Sequence, residues 1–65
     1  MKVAEVKDRI EHLRNRAYDM EAANILEIAL HKDVLCAISR GAANAAELAA
    51  AALQTESIEF PRHCP

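Results

Sequence analysis

MEAANILEIALHKDVLCAIS, residues 20–39, contains Ala23, Ile25, Leu26, Ile28, Ala29, Leu30, Val34, Leu35, Cys36, Ala37 and Ile38. Set out at 100° per residue, these side chains point in nearly every direction around a helix. A helix that is apolar all round needs cover on several sides. In a chain of 65 residues with no Trp, one Tyr and one Phe, few neighbours can supply it. The stretch therefore predicts an all-α fold that completes its burial by self-association, as a homodimeric helical bundle.

Outward from this stretch, helix punctuation fixes the neighbouring elements. Arg40 and Gly41 form a basic, C′-type stop, and Asn44-Ala-Ala-Glu47 resembles a capping box opening a further helix. That last helix carries Asn44, Glu47, Ala51 and Gln54 along a narrow outer stripe and mostly Ala or Leu elsewhere. Upstream, Val3, Val6, Ile10, Leu13, Ala17 and Met20 keep a three-four spacing, so one helix face is apolar. The register fails at Asn24 and Glu27, which predicts a break near residues 15–19 with Asp19 as N-cap. The expected unit is a helical hairpin or three-helix domain over residues 1–56, with helices near 2–18, 20–39 and 44–55. The first two may also be read as one continuous helix. Pro61 removes Phe60 from the α region, so residues 57–65 are expected as an extended or disordered tail, with Ile58 and Phe60 able to fold back.

Composition agrees and narrows the function classes. Fourteen Ala and six Leu against one Gly and two Pro make a helical composition, with no cluster of Val, Thr and aromatics that a sheet would need. Eight basic and ten acidic residues give a formal charge of −2, without the basic excess of a dedicated nucleic-acid binder. The start MKVAEVKDRIEHLR lacks a signal-peptide apolar core, and the longest strictly apolar run, Leu48 to Leu53, is far short of a membrane span. A cytoplasmic protein is expected, with Cys36 and Cys64 as free thiols and Cys36 packing as a small hydrophobe. A core this small nets no more than about 3 to 5 kcal/mol, which again calls for a partner subunit.

Catalytic and ligating patterns are missing. His12, His31, His63, Cys36 and Cys64 lack metal-ligand spacing, although Glu27 and His31 share a face at i, i+4. Neither Ser39 nor Cys36 has a His at a compatible offset for nucleophilic catalysis, and a single Gly cannot build a phosphate-cradling loop. The expectation is a protein with no enzymatic activity, no cofactor and no metal.

Charge points to partners. On the first helix the seam is flanked by Lys2, Arg9 and Arg16 on one side and Lys7, Arg14 and Glu21 on the other, so five of six flanks are basic. Two such helices side by side would repel, while an acidic-rimmed apolar surface would fit. Within the chain, the segments bearing Glu27, Glu47, Glu56 and Glu59 are candidates; outside it, an acidic helix of another protein. The sequence thus predicts a small accessory or regulatory protein acting through protein–protein contacts, with Val6, Arg9, Ile10, Leu13 and Arg16 as partner-binding residues. Leu26, Leu30, Val34, Ile38 and Leu48 are the expected self-association residues. An alternative is a DNA-binding regulator: Ala37 followed by Gly41 resembles the Ala-x-x-x-Gly of helix-turn-helix proteins, with residues 32–40 and 45–54 as its two helices. Arg40 and Glu47 stand where that family wants apolar residues. The second helix offers Asn44, Glu47 and Gln54 but no Lys or Arg, so nucleic acid is the less expected partner.

Overall fold

A computed structural model describes residues 1–62. Three helices, α1 (Val3–Asn15), α2 (Met20–Ser39) and α3 (Ala45–Ala52), are followed by a 3-10 turn, Leu53–Ser57. No strand occurs among the described residues, and none of their helices is long and apolar enough to cross a membrane. Each helix packs against the other two. The smallest extent of the molecule is 15 Å, room for about two layers of helix backbone whose axes lie some 8–10 Å apart. With two layers, one side of the longest helix is left without a neighbour among the described residues.

The first two helices are separate. α1 ends at Asn15, and Asp19 starts α2 with its Oδ1 accepting the Ala22 amide at 3.2 Å. That cap satisfies one of the amides that the start of a helix leaves without a partner. At the start of α1 the Glu5 carboxylate accepts the Lys2 amide at 3.2 Å. α2 ends as expected: Gly41 takes φ +86°, the Ala42 amide bonds back to the Ala37 carbonyl at 3.2 Å and the Gly41 amide to Ile38 at 2.9 Å. This is a Schellman closure, whose left-handed residue costs glycine nothing.

The start of α3 differs from expectation. Asn44 makes no side-chain cap, and its amide instead donates to the Met1 carbonyl at 3.2 Å, tying the chain's first residue to the α2–α3 turn. The helix is also shorter, because the chain tightens into the 3-10 turn at Leu53 and buries Thr55 completely.

Val6, Ile10 and Leu13 of α1 meet Ala23, Leu30 and Val34 of α2 and Leu48, Ala51 and Ala52 of α3 in one core. Ile58 and Phe60 join it, 4% and 8% exposed. Within the expected tail, therefore, residues 58–62 are irregular in backbone, with Ile58 and Phe60 packed and Glu59, Pro61 and Arg62 exposed. Residues 63–65, including the Cys64 thiol, lie outside the described residues.

Because Leu30 is 1% and Leu35 65% exposed, the two leucines should separate cleanly. Leu30→Ala should cost about 2–5 kcal/mol, most of what so small a domain has. Leu35→Ala should stay within about 0.5 kcal/mol in urea denaturation of the dilute chain.

Candidate interaction surface

The apolar face of α1 is spent within the chain. Val6, Ile10 and Leu13 are 0%, 4% and 1% exposed against α2 and α3. Of their basic rim, Arg9 donates to Asp33 of α2 at 2.8 Å, and Arg16 is exposed at the C-cap of α1. The acid that meets this rim from another helix is thus Asp33, while Arg14 pairs with Glu11 of its own helix at 3.4 Å. Glu47, Glu56 and Glu59 form no ion pair with α1 among the described residues, and Glu27 is held elsewhere. The expected self-association residues lie on the same inner side: Leu30, Val34 and Leu48 are buried, and Leu26 and Ile38 are half-buried against them. The structure therefore brings both predicted sets into one core, leaving Arg9 and Arg16 at its edge.

What stays outside is the other half of α2. Ile25 and Ile28 are each 67% exposed and Leu35 65%, and Leu53 from the 3-10 turn is 60% exposed. Two shallow depressions run along this face. One lies between α2 and α3 and is lined by His31, Val34, Leu35, Ile38, Ala49, Ala52 and Leu53. The next continues along α2 over Ile28, His31, Lys32, Leu35, Cys36 and Ser39, and both are largely apolar. A third, between α1 and α2, is lined by His12, Arg16, Ala22, Ile25 and Leu26. The sequence signalled that α2 had more apolar surface than one core could use. It assigned self-association to the half bearing Leu26, Leu30, Val34 and Ile38, and the structure turns that half into the chain's own core; leucines and isoleucines stand on both halves.

A polar cluster borders this face. Asn24, Glu27 and His31 lie at i, i+3 and i+7 on α2, hence on one side of the helix, and all three grip the C-terminal segment. The Asn24 amide donates to the carbonyls of Met20 at 2.9 Å and Pro61 at 2.8 Å. Arg62 forms a fork with Glu27, Nε to Oε1 at 3.0 Å and Nη2 to Oε2 at 2.9 Å. Its Nη2 also donates to the carbonyls of Thr55 and Ile58, and its guanidinium stacks 3.9 Å from the Phe60 ring centre. His31 Nε2 lies 3.1 Å from the Thr55 hydroxyl and 3.3 Å from the Ala52 carbonyl oxygen.

A histidine beside a hydroxyl is a nucleophile–base geometry, but Thr55 is 0% exposed. Its oxygen offers no approach to a substrate; the contact locks the 3-10 turn to α2. Among the described residues no three His, Cys, Asp or Glu side chains converge as metal ligands. α3 contains no Lys or Arg and turns Leu48, Ala51 and Ala52 inward, so Ala51 belongs to the core and not to the outer stripe on which the sequence set it.

Compared with protein-family models, with curated proteins and with solved structures, the chain matches none.

The Arg62 hydrogen bonds hold the Glu27 carboxyl below its ordinary range, helped by Thr55 and opposed by partial burial. A lowered carboxylate contributes stability above its unfolded value and loses it as pH falls through the folded one. Glu27→Gln should therefore be less stable than wild type at neutral pH, with the gap closing in acid. Urea titrations across the acid range would read this, and a gap that stays constant would remove the ion pair as its cause.

Proposed function

We propose that this chain is a small non-enzymatic helical protein that works by binding, an accessory or regulatory factor acting through protein–protein contacts and self-association. The surface that serves this reading is the outer face of α2 with the adjoining edge at Leu53, in place of the α1 face that the sequence alone pointed to.

One observation carries the reading. Ile25, Ile28, Leu35 and Leu53 are all 60% exposed or more and lie along a single strip, on a molecule that already has a closed core. Scattered surface leucines are ordinary, whereas a contiguous apolar strip rimmed by polar groups marks an interaction site. Complete burial of such a side chain is worth about 1.5–3 kcal/mol, so the free chain leaves a driving force of several kcal/mol unrealised on this face. Lys32 stands within the strip, so a fitting partner combines aliphatic surface with a carboxylate. Cys36 is a free thiol at the edge of the same face, in keeping with a reducing, cytoplasmic setting.

The test is site-directed photo-crosslinking inside cells that produce the protein. A photoreactive residue in place of Ile28 should give discrete protein adducts, while the same residue in place of Asp8, exposed on α1, should not. Adducts of equal yield from both positions, or none from either, would count against a binding role for this face.

A further inference from the structure

The strip on α2 has an internal order. Glu21, Ile25, Ile28, Lys32, Leu35 and Ser39 follow one another at spacings of four and three residues, the seam of a two-stranded coiled coil. At 100° per residue this seam lies opposite the buried row Ala23, Leu30 and Val34. Ala22, Ala29 and Cys36 flank it and let a second helix approach closely. Two charges interrupt it, Glu21 near the N-terminus of α2 and Lys32 at its middle. Both are exposed, and neither forms an ion pair among the described residues.

We propose that this face binds a second copy of the chain, with the two α2 helices antiparallel and Lys32 of each copy opposite Glu21 of the other. The proposal rests on the reading of this surface as a protein-binding site and names its occupant.

Charge selects both the occupant and the register. Parallel helices in register would set Lys32 directly against Lys32 in the centre of the interface, like charges with no acid between them. An antiparallel pair matching Ile28 with Lys32 of the second copy would leave the two lysines about 6 Å apart along the axis, at 1.5 Å per residue. Matching Ile25 with Ile28 of the second copy sets two isoleucine layers about the twofold axis. The lysines then stand about 16 Å apart, and each meets a glutamate. In this register the α1–α2 turn of one copy lies beside the C-terminal half of the other copy's α2. That turn bears Tyr18, 83% exposed, and the facing groove is lined by Leu35 and Leu53. The same arrangement therefore covers Tyr18, Ile25, Ile28, Leu35 and Leu53 together.

Sedimentation equilibrium of the full chain, with reductant and over a hundredfold range of concentration, tests this. Wild type should follow a monomer–dimer equilibrium. Lys32→Glu and Glu21→Lys should each weaken the dimer by about tenfold, since each single change breaks two pairs and creates two repulsions. The double variant should recover most of that loss. Circular dichroism at the lowest concentration would establish that every variant keeps its helices. A double variant as weak as the single ones overturns the register. A chain monomeric throughout overturns the second copy as occupant; if Ile28 adducts with another protein still form, the binding reading survives that result, and if no adducts form it fails with it.

Discussion

α2 is the element on which everything else in this protein is built, because its twenty residues carry apolar side chains on both sides and the other described residues cover only one. α1 has thirteen residues and α3 eight. Together with Ile58 and Phe60 they enclose Ala23, Leu30 and Val34 and stop. The two-layer arrangement follows, since a third layer would need a fourth helix. What the fold cannot cover is left as a strip instead of scattered residues, because the uncovered positions recur along one side of one helix.

Around α2 the polar groups divide the work by position. On one flank Asp33 holds Arg9 of α1; on the other Asn24, Glu27 and His31 hold the 3-10 turn and residues 61 and 62. Exposed pairs such as Arg9–Asp33 contribute little each. The Glu27–Arg62 fork is better placed, with the glutamate side chain 12% exposed and the arginine also satisfying backbone carbonyls. Its role is to close the C-terminal segment over apolar surface, so that Ile58 and Phe60 become core residues in a segment without regular structure. In a domain lacking Trp and holding one Phe, that ring is the largest side chain of the core.

The positions most legible in the sequence were those governed by local chemistry. Gly41 supplies the positive φ that ends α2, and Asp19 supplies the carboxylate that begins it; both act within a few residues of themselves. Asn44 misled because a cap competes with whatever else can use the amide, and here the Met1 carbonyl, 43 residues away, does so. The α1 face was read correctly as apolar and basic-rimmed, but periodicity cannot say whether such a face meets its own chain or another. The partner inside the chain is Asp33, on the same helix as Glu27, whose segment the sequence puts forward for that role. For α2 the failure has a different origin: with Leu30 and Val34 on one side and Ile28 and Leu35 on the other, hydrophobicity is balanced, and tertiary packing makes the choice.

Lys32 gives that balance a direction. Were position 32 another aliphatic, the outer strip would be a continuous seam, and any apolar surface of suitable shape could pair with it in several registers. A cation in the middle of the strip costs affinity for every such surface, since its ammonium must be solvated or matched when the interface closes. It costs least where a carboxylate waits opposite, so the charge discriminates among surfaces by whether they place an acid there. The same residue interrupts a run that would otherwise join Ile25 and Ile28 to Leu35. A central helix that the described residues cover on one side only thereby limits what can pack against the other.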